Sequence, residues 1–285
     1  MLRHFIFSLI IFTSSVNALD VVRFVESKSD QKQAYFVDLL RLSMEVTKDK
    51  YGEYVVEGIE MEMEQGRSSI MLANNQHIDI VWRMTNKEIE QALKPIYIPL
   101  LKGSMGYRIF LIREGEQVVF SKDLTLSQLK DLRVGQGHNW PDSKILAHNG
   151  FNLTKGYSNN LLKMLSKGRF DYFPRALHEA LIEAKSFESI EVEQNFLLKY
   201  HAPVYFFVNN KDDALARRLH EGLMLLIESG KFDHHFNTHP VTANVLKQVD
   251  LNGREAFLLD NPFNSDETNV LKSEPQFWLT FNPSH

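Results

Sequence analysis

LRVGQGHNWPDSKILAHNG, running from Leu132 to Gly150, is one strand, one loop and one helix in succession. Arg133-Val134-Gly135 reads as a strand, Gln136-Gly137-His138-Asn139-Trp140 as a glycine-loosened loop, and Pro141 to His148 as a helix closed by Gly150. Proline fits the first helical turn because the amide it lacks would have had no partner there, and glycine takes the left-handed turn that ends a helix. A strand feeding a helix through a short loop is the unit from which α/β folds with parallel strands are built.

The same alternation continues on both sides. Upstream, Val21 to Val25 is a strand. Phe36, Leu39, Leu40, Ser43 and Thr47 then share one face of a helix ending near Tyr51-Gly52. Tyr54 to Met63 is a second strand, Gly66 to Ala73 a short helix, and Ile78 to Trp82 a third strand. Pro95 to Gly106 holds two prolines and two glycines and precedes Tyr107 to Ile112, a strong strand, which marks a crossover into a second lobe. That lobe continues with a helix over Leu124 to Leu132. Downstream of Gly150, Ser158 is placed to cap a helix carrying Leu161, Leu162 and Leu165, and Phe170 to Phe173 forms a strand that Pro174 stops. A return crossover runs through Tyr200 to Val208. It leads into a helix with Leu215, Leu219, Leu223, Leu226 and Ile227 on one stripe, ended by Gly230. Asn261-Pro262 and Asn282-Pro283 mark turns in a tail expected to pack on the first lobe.

The N-terminus reads as a secretory signal peptide over residues 1–18: basic Arg3, an apolar run from Phe5 to Phe12, and small residues ending at Ala18. The run is too short to cross a bilayer comfortably. The chain has no cysteine, which excludes a disulfide, a thiolate metal site, a cysteine nucleophile and a lipid-bearing cysteine. Its formal net charge of −4 falls further once Arg3 is removed, and argues against a nucleic-acid partner, which calls for a basic face. An apolar content of 44% is enough for real cores. The expected organisation is a signal peptide, a first lobe over residues 19–102 and 206–285, and a second lobe over residues 103–205.

At this point the sequence resembles the type II periplasmic solute-binding proteins, close to the polar amino-acid receptors of ABC importers. Ile78 to Thr85 (IDIVWRMT), Leu132 to Gly150, Leu161 to Glu179 (LLKMLSKGRFDYFPRALHE) and Phe206 to Phe236 carry the likeness. It implies two doubly wound α/β lobes joined by two hinge strands, with the ligand in the cleft between them. In open α/β sheets that crevice lies beyond the carboxyl ends of the strands. Three loops fall there: Glu26-Ser27, Trp82-Arg83-Met84-Thr85, and Gln136 to Trp140. The last places glycine amides and a helix N-terminus near the cleft, an arrangement able to hold a carboxylate, although a plain strand-to-helix turn reads the same way. Trp140 stands where a dinucleotide fingerprint needs its third glycine.

Two clamps of the resembled family are missing. Thr85 is followed by Asn86-Lys87-Glu88-Ile89, with no arginine where the family grips an α-carboxylate. The stretch after Asp171 offers Arg175 where an aspartate is expected. Arg175 is therefore a candidate anchor for an anionic group, with Trp82 and Trp140 as flat walls. The alternative is an ion pair between Arg175 and Glu179, one helical turn on. Glu26, Arg83, Thr85, His138 and Asn139 complete the candidate ligand-binding set, with Arg83 open to an ordinary ion pair and Trp140 to a core role. His234, His235 and His239 cluster but are read as solvent-exposed rather than metal-binding, and no cofactor or metal is expected.

The reading is a monomeric, non-enzymatic periplasmic binding protein that captures a small polar, anionic or amino-acid-like molecule. Its partner is an ABC permease or a membrane sensor domain. Two alternatives stay open. One is a periplasmic enzyme of the cyclohexadienyl dehydratase type, with Glu26 or Glu88 as general acid. The other is an interaction module that has lost its ligand.

Overall fold

The computed structural model describes residues 19–27, 32–61, 63, 65–243 and 249–279. The expected signal peptide and the Asn282-Pro283 turn lie outside the described residues.

The first lobe opens with β1 (Asp20–Glu26), α1 (Gln33–Glu45), the one-turn α2 (Lys48–Tyr51), β2 (Tyr54–Glu60), α3 (Gln65–Ala73), β3 (Ile80–Met84), α4 (Lys87–Ala92) and β4 (Lys94–Ile96). β1 and β2 pair in parallel, and Val22 and Phe24 of β1 turn inward as strand alternation requires. On α1 the buried residues include Phe36, Leu39, Leu40 and Ser43, the face expected from helical spacing.

The second lobe comprises β5 (Tyr107–Arg113), α5 (Leu126–Asp131), β6 (Arg133–Gly137), α6 (Pro141–His148), β7 (Asn152–Gly156), α7 (Leu161–Ser166), β8 (Phe173–Ala176), α8 (Leu177–Lys185), β9 (Ile190–Val192) and β10 (Phe196–Lys199). β5 is central and wholly apolar but for its two arginines; it pairs antiparallel with β8, β9 and β10. β6 and β7 pair in parallel. The chain then returns to the first lobe through β11 (Val204–Val208), antiparallel to both β3 and β4, followed by α9 (Asp213–Glu228) and α10 (Lys231–Thr238). The Asp212 side chain caps α9, and Leu215, Leu219, Leu223 and Leu226 are buried in one core with α1.

The two crossovers meet backbone to backbone. Leu198 and Lys199 pair with Arg108 and Tyr107, and the Tyr200 amide donates to the Gly106 carbonyl at 3.0 Å. A Cβ at Gly106 would lie 1.9 Å from the Tyr200 carbonyl oxygen, so only glycine lets the strands approach this closely.

Four local expectations change. Ser158 caps no helix; it begins a 3-10 turn ahead of α7. Pro174 does not end a strand but sits inside β8. Tyr172 pairs with β6 through Val134, while alternate residues Phe173 and Arg175 turn their backbone groups toward β5. Pro174 therefore faces the β6 side, where its missing amide ends one pairing without harming the other. His235 and His239 are not solvent-exposed. His235 is buried against Tyr35 at 4.7 Å between ring centres and meets the Tyr35 carbonyl oxygen at 3.1 Å, and His239 packs beside both. Finally, the tail placed on the first lobe spans both. β12 (Glu255–Leu258) joins β10 in the second lobe, and α11 (Asp266–Val270) lies on the first. Among the described residues no helix is long and apolar enough to cross a membrane.

Candidate functional site

A cleft of about 1120 Å³ separates the lobes, with both contributing walls. On the first-lobe side Trp82 projects from β3 and stacks on Phe36 of α1 at 5.4 Å and 15° between planes, with Phe24 behind it at 5.8 Å. Beside it the Arg83 guanidinium donates to the Trp82 carbonyl at 2.6 Å and to the Ser68 hydroxyl on α3. Lys32 and Gln33, at the start of α1, complete this wall, and the Gln33 Oε1 accepts the Ser27 amide at 3.1 Å.

The second-lobe wall is built from buried charge. Arg108 of β5 meets Asp142, in the first turn of α6, at 2.7 Å and Glu179 of α8 at 3.5 Å. The Tyr200 hydroxyl accepts from Arg108 at 2.9 Å and donates to Asp142. Arg175 of β8 holds Glu183 through two bonds of 2.6 Å and Glu179 at 3.1 Å, while Trp140 covers its face at 4.7 Å. Burial works against the Arg108 and Arg175 charges, but the adjacent carboxylates outweigh it and hold both guanidiniums more firmly protonated than usual. For Glu179 burial alone would raise the pKa; Arg175, Lys32, His178 and Arg108 instead hold it well below the usual carboxylate range. His178, next to it on α8, is pushed down to about 4, chiefly by burial. Its ring is neutral near pH 7, and among the described residues its buried Nδ1 has no hydrogen-bond partner.

Among the described residues two ion pairs join the lobes, the first across the cleft and the second outside its lining. Lys32 reaches Glu179 at 2.9 Å, and Lys144 of α6 reaches Glu88 of α4 at 2.8 Å.

Of the residues picked from sequence, Trp82, Arg83, Asn139, Trp140 and Arg175 line the cleft. Three do not. Glu26 folds its carboxylate back over Gly58, Thr85 is buried with its hydroxyl on Glu90, and His138 lies exposed against the Tyr157 ring at 5.1 Å. The glycine loop works mainly in packing. A Cβ at Gly137 would meet the Trp140 ring at 2.4 Å, and the amides of Gly135, Gly137, His138 and Trp140 all donate within the second lobe. Sequence reasoning missed Lys32, Arg108, Asp142 and His178, and it named Glu179 only as the alternative ion-pair partner of Arg175, a pair that the structure contains. Arg108 hides inside an apolar strand, and the other three are single polar residues with no motif around them.

No protein-family model matches this chain, and no curated protein matches it in sequence. Solved structures do match its fold. The probable amino-acid ABC transporter extracellular-binding protein of Bacillus subtilis superposes with a TM-score of 0.57 at 16% identity, covering 79% of this chain and 98% of that one. A histidine kinase sensor domain with similarity to periplasmic binding proteins gives 0.56 at 16% identity, covering 76% and 93%. The putative L-cystine ABC transporter from Listeria monocytogenes gives 0.53 at 15% identity, covering 79% and 96%. The chain has the two-lobed α/β fold of the type II periplasmic binding proteins.

Proposed function

We propose that this chain, built on the amino-acid receptor fold, is an exported solute-binding protein that captures a small polar ligand by closing its lobes. The observation that carries the proposal is the cleft walled by both lobes. A ligand touching both walls gains contacts in the closed state that the open state lacks, and so shifts the population toward closure. Among the described lining residues four cations, Lys32, Arg83, Arg108 and Arg175, outnumber the carboxylates Asp142 and Glu179, which favours an anionic or amino-acid-like ligand. Trp82 and Trp140 offer one aromatic face from each side.

Arg175 as the anion's anchor requires Glu179 or Glu183 to release it, so a ligand carboxylate would replace one of them rather than fill a vacant fork. Capture is favoured over catalysis because Glu26 and Glu88, the candidate general acids, stand outside the lining of the cleft, and Glu179 inside it is held ionised. Export belongs to this reading because residues 1–18 read, in sequence, as a secretory signal peptide. The closed form then engages a membrane partner, either an ABC permease or a sensor domain.

A thermal-shift screen of the chain from Leu19 onward against amino acids, dicarboxylates, short peptides and aromatic acids tests this, since a compound that binds only the folded form raises Tm. A shift that disappears in Trp82→Ala is expected. Should the whole panel leave Tm unmoved, ligand capture is lost as an explanation. Chromatography of any hit after incubation separates a receptor from an enzyme.

A further inference from the structure

Two hinge strands connect the lobes, but the C-terminal tail makes a third connection. It starts on the second lobe, where β12 pairs in parallel with β10 from Phe196↔Glu255 to Lys199↔Leu258 and Phe257 stacks on Phe196 at 5.4 Å. Asn149 of the second lobe exchanges two hydrogen bonds with the Asp260 backbone, at 2.8 and 3.1 Å. The tail then crosses the hinge. The side-chain amides of Asn261 and Asn264 both donate to the carbonyl of His201, in the return crossover, at 2.8 Å each.

On the first lobe it is fastened again. The Lys87 amide at the head of α4 donates to the Phe263 carbonyl at 2.9 Å, and the fully buried Thr268 hydroxyl donates to Glu90 at 2.8 Å. Farther on, the Leu279 amide donates to Lys102 in the outgoing crossover at 2.9 Å. The Trp278 ring lies 4.6 Å from the His201 ring and against Gly103. One continuous segment thus grips the second lobe, both crossovers and the first lobe. The match to the Bacillus subtilis protein uses 98% of that chain but only 79% of this one, so this chain carries length which that receptor does not have.

We infer that the tail is a brace: a third crossover that holds the lobes at a preset separation and limits how far they open without ligand. Two strands alone leave a hinge free to rotate, because few contacts cross between lobes joined in that way. Wider opening of this protein must pull Thr268 off Glu90 or Asn261 and Asn264 off His201. Phe263 reinforces the arrangement, since its ring packs against the second-lobe core beside His148 while its carbonyl accepts the Lys87 amide of the first lobe. The brace presupposes the moving lobes on which ligand capture was proposed. Its test uses no ligand, so either reading can fail alone.

The cysteine-free sequence makes the measurement direct. Spin labels at Lys122→Cys on the second lobe and Lys231→Cys on the first report the distance between lobes by pulsed electron resonance. The intact chain is expected to give one narrow distribution. A chain ending at Pro262, which lacks the first-lobe anchors at Phe263, Thr268, Trp278 and Leu279, should broaden it and add a shifted population. Thr268→Val with Trp278→Ala, which keeps the chain length, should do the same to a smaller degree and decides the matter if the shortened chain does not fold. A distribution as broad in the intact chain as in the variants, or one equally narrow in folded variants, overturns the brace.

Discussion

The two walls of the cleft are made of different material. The first-lobe wall is stiffened by rings, with Trp82 resting on Phe36 and Phe24. In the second-lobe wall, stiffness comes from ions: Arg108 and Arg175 are locked among Asp142, Glu179, Glu183 and Tyr200. A ring gives up little when a ligand replaces water over its face. A buried ion must keep its partner or acquire a new one at once, because desolvated charge is expensive. The ionic wall therefore selects ligands by what they can exchange with an existing pair, and the aromatic wall by shape.

The contrast can be broken most forcefully at Arg108. Arg108→Met strips the cation from the buried Asp142 and should lower stability by about 3–5 kcal/mol in urea denaturation; a loss under about 1 kcal/mol means the ionic wall is not self-supporting. Tyr200→Phe removes one hydroxyl that serves both Arg108 and Asp142 and should cost about 1–3 kcal/mol, with little change in m-value.

A pH series sharpens the same point. His178 and His201 titrate near 4 in the folded protein, both chiefly because of burial, and near 6.5 when exposed. As the pH falls below 6.5 the unfolded chain binds protons that the folded one refuses, so stability should decline between pH 6.5 and about 4. His178→Phe should flatten part of that decline; an unchanged slope would assign it to other groups.

On the aromatic wall, Trp82→Leu should cost only about 0.5–1.5 kcal/mol beyond the lost area, while removing much of any ligand-induced fluorescence change. Smallest is Glu88→Gln. Its pair with Lys144 is solvent-exposed, so about 1 kcal/mol or less is expected, and 1 M salt should erase the difference.

The architecture was legible because strand and helix boundaries here are written in local chemistry. Pro141 opens α6, Asp212 caps α9, and Gly52, Gly150 and Gly230 take the left-handed conformations at helix ends. The cleft was half legible. Trp82, Arg83 and Trp140 sit at strand ends, where topology alone sends side chains toward the crevice. Arg108 reads as an interruption in an apolar strand, and its partners come from α6, α8 and Tyr200, none of them near it in sequence. Such a network exists only in three dimensions. Pro174 misled for a related reason: whether a proline ends a strand depends on which side its missing amide faces, and neighbours decide that.

The rung between Tyr200 and Gly106 fixes where movement can occur. Strands paired at Arg108, Tyr107 and Gly106 cannot slip past each other, so in the proposed closure displacement grows with distance from that pivot. Met105 and Arg108, cleft residues within two positions of Gly106, form the floor that moves least in the proposed closure, and cleft residues remote from the rung form a rim that travels farther. Selectivity written into the floor is present before any guest arrives, and contacts at the rim are assembled afterward.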